Sequence, residues 1–271
     1  MAAISAKLVM ELRESTNLPM MKCKEALEKS NGDKAAAIEF LRKQGLAAVG
    51  KFAGRETPNG FVGMAIKDGA GVLVLLGCQT DFVAISDDFK AAANKIAQVA
   101  LDTGAETVEA LKVKMVDGIS VDDVVTELVN KIRENIVLVQ VARLTGTAVV
   151  GYSHGGRIAT LVAGTNNADN KLKQVALHVA SSPIVPVSLS RDQVDPAVVA
   201  KEREILAGMA DVLSKPEAMR PKIVDGKLGR FYKENVLLEQ EMLLDADKGE
   251  TVEKYAQRVG ITLTGFVRIT V

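Results

Sequence analysis

The feature that most constrains the fold of this chain is a segment that occurs twice. Residues 95–101 (KIAQVAL) resemble residues 171–177 (KLKQVAL), which begin 76 positions later. Both have apolar residues at helical spacing, and both follow pairs of apolar segments that are typical of strands. The pattern predicts two related strand–strand–helix halves, and so an α+β protein with a duplicated core and antiparallel sheets.

The strands of the first half are expected to form a hairpin. Residues 61–66 and 72–76 flank residues 67–71 (KDGAG), which predicts a five-residue loop. The second strand is almost continuously apolar, so we expect it to be central in its sheet. A helix is predicted from about residue 87 to 101. One of its faces carries Phe89, Ala93, Ile96 and Ala100.

A similar order of elements appears further along the chain. Strands are predicted at residues 137–144, 148–152 and 158–164, and the helix follows at 171–180. The last seven residues, 265–271, alternate with period two, so we expect them to complete the second sheet.

The first 55 residues have a helical pattern throughout. They predict a three-helix module with 10 Lys+Arg against 6 Asp+Glu, on a chain that carries 34 of each. A polar segment at 54–60 (GRETPNG) links it to the core. The expected helix boundaries are a Ser5 cap, a Pro19 start, an Asp33 cap and a Gly45 end.

Residues 190–235 differ from both core halves. Asp195-Pro196 predicts the start of a helix at 197–213, and Ser214-Lys215-Pro216 a turn before a second helix from about 217. This is an αα-hairpin inserted into the second half. The expected organisation is an N-terminal module at 1–54, a first core half at 55–144, a second core half at 145–189 and 236–271, and the hairpin at 190–235.

Composition excludes several classes of function. The formal net charge is zero and aromatic residues make up 4%, with no Trp. Sequence-independent nucleic-acid binding relies on cationic surface and stacking platforms, so direct contact with nucleic acid is not expected. No apolar run reaches the ~18 residues of a membrane span, and no signal segment is evident, so a cytoplasmic protein is predicted.

The sequence offers no catalytic, cofactor or metal site. Cys23 and Cys78 lie far apart and are interpreted as free buried thiols. His178 is interpreted as a packed, hydrogen-bonded histidine, and His154 as a surface residue or a partner contact. The segment 45–51 fits G-x-x-x-x-G-K, but Phe52 follows it where a nucleotide-binding loop needs a hydroxyl.

One strand-to-helix connection is informative. Residues 78–83 place a bulky Phe82 and an apolar Val83 after a polar triplet. Spacing alone favours Phe82 packed under the next helix over an exposed protein-binding wedge.

The motifs add to this interpretation. Gln79-Thr80-Asp81-Phe82-Val83 resembles the TDFV signature of bacterial-type translation elongation factor Ts. Residues 12–16 (LREST) and 20–27 (MMKCKEAL) resemble the N-terminal signature of that family. Further matches follow in order at 154–158 (HGGRI), 176–180 (ALHVA) and 265–268 (GFVR), so the resemblance covers essentially the whole chain. Residues 17–19 (NLP) and 84–86 (AIS) depart from the family pattern.

The resemblance implies a guanine-nucleotide exchange factor for elongation factor Tu. It implies that Thr80, Asp81, Phe82 and Val83 insert near the Mg²⁺ site of that GTPase. It also implies that Arg13, Met20 and Met21 contact the GTPase domain, that His154 contacts a second domain, and that the hairpin mediates self-association in some members. The N-terminal module should resemble ubiquitin-associated domains.

Two other classes remain open from the residues themselves. One is a non-catalytic adaptor whose N-terminal module binds a helix, and the other is an enzyme. A nucleotide-release assay separates the exchange factor from both, because only an exchange factor accelerates GDP loss without consuming GDP.

Overall fold

The computed structural model describes residues 4–16, 20–52, 54–167 and 170–271. Helices and antiparallel sheets are both present, which makes the fold α+β. The core has four layers, because two three-stranded sheets pack face to face and each carries helices on its outer face. No helix within the described ranges is long and apolar enough to cross a membrane.

Three helices precede the first strand: α1 (Ala6–Thr16), α2 (Met20–Lys29) and α3 (Lys34–Phe52). The predicted Ser5 and Asp33 caps are confirmed, since Ser5 Oγ accepts from Leu8 N at 3.2 Å and Asp33 Oδ1 from Ala36 N at 3.0 Å. The predicted Pro19 start lies outside the described residues. A separate small core is buried among these helices: Val9, Leu12, Cys23, Ala26, Leu27, Ala37 and Leu41.

The predicted end of the third helix at Gly45 is wrong. The helix continues through the G-x-x-x-x-G-K segment to Phe52. Each of the two glycines, Gly45 and Gly50, costs the helix at most about 1 kcal/mol, and the residues between them include two alanines and a leucine, which are good helix formers. The segment therefore lies within a helix and has no resemblance to a phosphate-binding loop, which follows a strand.

The first sheet has the order β1-β2-β5, formed by β1 (Asn59–Lys67), β2 (Ala70–Cys78) and β5 (Ile136–Thr145). Lys67 pairs with Ala70, so the hairpin turn has two residues and the predicted five-residue loop is wrong. Asp68 and Gly69 have φ of 48° and 73°. An Asp-Gly pair with both φ positive is the preferred two-residue hairpin turn, and its twist matches that of the strands.

The prediction that β2 is central is confirmed. Val72, Val74 and Leu76 face α5 (Asp87–Thr103) and the helices around it, whereas Leu73 and Leu75 face the second sheet. Burial on both faces explains the continuous apolar run.

The first half also contains elements that the sequence analysis missed. These are α6 (Val108–Lys112), β3 (Met115–Val116), β4 (Ile119–Ser120) and α7 (Val121–Ile132). Helix α7 begins at a capping box formed by Ser120 and Asp123, and it packs against α5 and β5.

The second sheet has the order β6-β7-β8, formed by β6 (Ala148–His154), β7 (Ile158–Gly164) and β8 (Leu263–Thr270). The end of the chain completes this sheet as predicted. Helix α8 (Lys171–Ser181) covers its outer face together with α12 (Val252–Arg258), which the sequence analysis missed. Thr160 Oγ1 donates to the carbonyl of Ala176 at 2.9 Å and ties β7 to α8.

The inserted region is a helical hairpin with a break in its first arm. It comprises α9 (Pro196–Ala207), α10 (Ala210–Leu213) and α11 (Arg220–Asn235). The predicted single helix at 197–213 is wrong, because α9 ends at Gly208. The start is as predicted, since Asp195 Oδ1 accepts from Ala197 N at 2.8 Å. Leu206, Val212, Val224 and Leu228 form a small core within the hairpin.

Candidate protein-binding site

The TDFV motif forms a short helix. β2 ends at Cys78, Thr80 is the N-cap, and α4 (Asp81–Ile85) follows. Thr80 Oγ1 accepts from Val83 N at 3.4 Å, and Asp81 Oδ1 accepts from Phe82 N at 3.0 Å. Threonine and aspartate at these positions satisfy backbone N–H groups that a helix start leaves unpaired, so the polar part of the motif determines where the turn begins.

Phe82 lies on the outer side of this turn. Its side chain is 78% exposed, so the packed arrangement that spacing alone favours is wrong. Val83 packs instead, within the cluster that contains Leu76 and Phe89. Successive helical residues point about 100° apart, so only one of the two can face the sheet. Ile85, three positions after Phe82, is 65% exposed.

A loop from another part of the chain holds the start of α4. Glu134 Oε2 accepts from Thr80 N at 3.0 Å, and Glu134 Oε1 accepts from Thr80 Oγ1 at 2.7 Å. Asn135 N donates to Gln79 Oε1 at 2.9 Å. The sequence analysis missed Glu134, because it lies 54 positions from Thr80 and no local pattern signals the contact.

Cys78 lies directly beneath the turn. Its Sγ donates to the carbonyl of Thr80 at 3.2 Å. Burial, reinforced by the carboxylate of Glu134, raises the pKa of the Cys78 thiol to about 12. The group therefore stays protonated near neutral pH and has no nucleophilic character. Cys23 and Cys78 are both buried thiols outside any disulfide, as predicted.

His154 ends β6 and is exposed, and its Nδ1 lies 3.1 Å from Tyr152 Oη. The turn that follows it reaches β1, where the carbonyl of Gly156 accepts from Val62 N at 2.7 Å. A Cβ at Gly156 would lie 2.1 Å from the ring of Phe61, so a glycine is needed for this approach. Phe61 packs against the cluster to which Val83 belongs, so the His154 turn and α4 share one end of β1.

Arg13, Met20 and Met21 lie on α1 and α2. All three are exposed, and the exposed fractions of Met20 and Met21 are 47% and 73%. By helical spacing Met20 shares a face of α2 with Cys23 and Leu27, but only the latter two are buried. The N-terminal helices α1, α2 and α3 contact the core where α3 packs on α7. Arg42 Nη2 lies 4.0 Å from Glu127 Oε1 at this contact.

The remaining histidine is structural. His178 is 1% exposed, its Nε2 lies 3.1 Å from Gln240 Oε1, and its Nδ1 accepts from Leu243 N at 3.3 Å. This confirms the packed, hydrogen-bonded interpretation. Within the part of the chain that the structure describes, no three His, Cys, Asp or Glu side chains converge as a metal site would require.

The fold and the site define an α+β protein that exposes a phenylalanine on a short helix, and Glu134 holds the N-cap of that helix. Comparisons with known proteins identify the family. The family model described as Elongation factor TS matches residues 79–271. The chain belongs to the elongation factor Ts family.

Its relatives match over nearly the whole length. Elongation factor Ts of Paracoccus denitrificans is 40% identical over 278 residues, which cover 99% of this chain and 92% of that protein. The Elongation factor Ts proteins of Dinoroseobacter shibae and Hydrogenovibrio crunogenus are 40% and 38% identical over the same shares of the two chains.

Proposed function

We propose that this protein is a guanine-nucleotide exchange factor that binds elongation factor Tu with GDP, disturbs its Mg²⁺ and phosphate site, and promotes GDP release during translation elongation. The observation that carries the proposal is the exposure of Phe82, 78%, on a helix whose N-cap, Thr80, is held by Glu134. In a family defined by elongation factor Ts, such a side chain is suited to insertion into a partner.

Phe82 would gain free energy from burial in a partner. Leaving a phenylalanine in water forgoes about 1.5–3 kcal/mol that burial would give, so an apolar pocket on a partner binds it favourably. Thr80, Asp81 and Val83 form the turn that carries it. Mg²⁺ requires near-ideal octahedral geometry, so an inserted side chain that displaces its ligands weakens the hold on the nucleotide.

The exchange must be reciprocal. If the factor weakens GDP binding, GDP weakens binding of the factor by the same ratio, because both effects are one coupling free energy. Incoming GTP or GDP then expels the factor. The factor is regenerated and consumes no substrate, so it is not an enzyme.

Other parts of the chain hold the partner. We assign Arg13, Met20 and Met21 to contact with the GTPase domain and His154 to contact with a second domain, and their exposure supports this. We further interpret residues 1–54 as a module similar to ubiquitin-associated domains. The core at 55–144, and at 145–189 with 236–271, is interpreted as a duplication, with the hairpin at 190–235 inserted.

The decisive experiment measures release of labelled GDP from purified elongation factor Tu in the presence of excess unlabelled GDP. Substoichiometric amounts of this protein should accelerate release and leave the nucleotide chemically unchanged. Binding without acceleration would favour the adaptor, and conversion of nucleotide would favour an enzyme. We expect the protein to act in the cytoplasm, without direct nucleic-acid contact.

The hairpin should be peripheral to this activity. It has its own core of Leu206, Val212, Val224 and Leu228, and loops or insertions of this kind carry separate contacts. Replacing residues 196–225 by a short Gly/Ser linker should leave GDP release largely intact. Sedimentation of both forms would show whether the hairpin supports self-association.

A further inference from the structure

We propose that Glu134 is a positioning residue for nucleotide exchange, which acts by fixing the start of α4 and thereby the direction in which Phe82 points. The inference rests on the proposed function of Phe82. Glu134 does not need to touch the partner for this role, because its two contacts are both with Thr80.

The two hydrogen bonds determine the orientation of the Thr80 hydroxyl. Thr80 Oγ1 donates its proton to Glu134 Oε1 at 2.7 Å. Its lone pairs are then left for Val83 N, which donates to the same oxygen at 3.4 Å. Glu134 Oε2 meanwhile holds Thr80 N at 3.0 Å. One carboxylate therefore organises both the backbone and the side chain of the N-cap.

The short length of α4 makes this support necessary. The helix has five residues, and isolated helices shorter than about 12 residues are marginal in water. Phe82 contributes little packing of its own, because its side chain is mostly exposed. The turn must be held by contacts elsewhere, and on its N-terminal side Glu134 accepts both hydrogen bonds that Thr80 N and Thr80 Oγ1 donate.

That loop is itself firmly placed. Arg133 ends α7 in the left-handed conformation, with φ 68° and ψ 30°. Asn135 is 6% exposed, and its Nδ2 donates to the carbonyl of Arg55 at 2.7 Å. The loop at 133–135 therefore connects the base of α4 with the segment that follows α3. It links the two regions to which partner contacts are assigned.

The test compares Glu134→Ala and Glu134→Gln with a matched control, Asp123→Ala. Asp123 Oδ2 accepts from Ser120 Oγ at 2.8 Å and from Ser120 N at 3.4 Å, so it makes the same pair of contacts at the N-cap of α7. The two alanine variants lose equivalent bonds, but only one of them loses support for α4.

The rate of GDP release from elongation factor Tu is measured against the concentration of each variant. Glu134→Ala should lower the maximal rate by about tenfold, which corresponds to about 1.4 kcal/mol. The half-saturating concentration should change much less, because the N-terminal helices and the His154 turn still hold the partner. Glu134→Gln keeps one acceptor and should lie between wild type and Glu134→Ala. Asp123→Ala should keep the wild-type maximal rate.

Two further measurements distinguish a positioning role of Glu134 from a general loss of stability of the fold. In a Phe82→Ala background, Glu134→Ala should lower the rate no further, because its effect passes through Phe82. Amide hydrogen exchange should accelerate at Val83 in Glu134→Ala and stay unchanged within α5.

The outcomes are distinct. If wild type does not accelerate GDP release, the proposed function fails and this inference fails with it. If wild type does, the inference is overturned when Glu134→Ala resembles Asp123→Ala in maximal rate. It is also overturned when the effects of Glu134→Ala and Phe82→Ala multiply.

Discussion

The two strand-to-helix connections of the core differ in structure and in chemistry. In the first half, residues 79–86 join β2 to α5, contain the helix α4, and expose Phe82. In the second half, residues 165–170 (TNNADN) join β7 to α8 and contain no large apolar side chain. Thr165 N donates to the carbonyl of Thr262 at 3.0 Å, which ties this connection to the residues just before β8.

The connection at residues 79–86 is the one that differs from a simple link between strand and helix. Both halves place an antiparallel hairpin under a helix, but the first connection exposes the large apolar side chain of Phe82, whereas the sequence of the second contains no large apolar residue. Functional residues on a connection held by a rigid scaffold are a common arrangement. The sheet and helix layers supply the rigidity, and the connection carries the residues proposed to contact the partner.

Helix α5, which follows the first connection, packs unusually close to β1. A Cβ at Gly63 would lie 2.3 Å from the carbonyl oxygen of Ala93, so only glycine lets α5 approach β1 this closely. Because α5 begins at Asp87, directly after Ser86, α4 is held between a fixed helix and a fixed strand. This leaves the turn little freedom to pivot.

The largest expected effect is that of Phe82→Ala. Truncating an aromatic anchor at the centre of an interface costs ~2–4 kcal/mol, so GDP release stimulated by this protein should slow by roughly 30- to 1000-fold. The thermal midpoint should hardly change, because the side chain is 78% exposed. Stopped-flow release of labelled GDP and thermal unfolding are measured on the same sample.

Two controls sharpen this result. Phe89 is fully buried, so Phe89→Ala should cost ~3–5 kcal/mol of folding stability and lower the midpoint visibly. Asn166→Ala changes the second connection and should leave release unchanged. An unaltered rate in Phe82→Ala, or an equal loss in Asn166→Ala, would remove the distinction between the two connections.

The sequence predicted the framework better than the site. The apolar run in β2 identified a central strand, and the period-two end of the chain identified β8, because burial leaves a direct trace in the pattern. Thr80 also carries a local signal as an N-cap. The exposure of Phe82 carries none, since an apolar residue near a helix start packs more often than not.

Contacts between distant segments account for the rest. Glu134 and the turn after His154 reach the site only because β2 pairs with β5 and the second sheet packs on β1. Spacing along the chain cannot reveal these approaches. Helix α7 was missed although it has a capping box, because it follows two strands of only two residues, β3 and β4, which leave no strand pattern to mark its start.

The next largest effect concerns pH, because the second half of the core buries His178 and the first half buries Cys78. Burial lowers the pKa of His178 below its ordinary value of about 6.5. Below that pH the unfolded chain binds a proton that the folded chain resists, so stability falls as the pH drops from about 6.5 toward the lowered pKa. The slope for one proton is at most about 1.4 kcal/mol per pH unit. The Cys78 thiol, with its pKa raised to about 12, takes no part.

Thermal midpoints of wild type and His178→Asn at pH 7.5 and 5.5 test this. Asparagine can accept from Leu243 N in place of Nδ1 but does not titrate. The cavity beside His178 is also lined by Lys233, Glu234, Glu239 and Glu241, which both proteins share. The thermal midpoint of wild type should fall more between pH 7.5 and pH 5.5 than that of His178→Asn. Parallel losses would assign the acid sensitivity to other groups.

The smallest expected effect concerns the residue next to Glu134. Arg133 has a φ of 68°, a conformation that costs a side chain bearing a Cβ about 1–2 kcal/mol and costs glycine almost nothing. Arg133→Gly relieves that cost but adds freedom to the unfolded chain, which offsets about 0.4–1 kcal/mol. The free energy of unfolding in urea should therefore rise by about 0–1.6 kcal/mol.

The exchange rate of Arg133→Gly should equal that of wild type, because the Glu134 carboxylate still reaches Thr80 from the same turn. Arg133→Val is the matched opposite: a β-branched side chain is disfavoured at this φ, so it should destabilise the protein by about 1 kcal/mol or more. If glycine lowered both stability and exchange, the Arg133 side chain would be part of the support for α4. The first connection would then depend on two side chains of this loop, whereas the geometry requires only the carboxylate of Glu134.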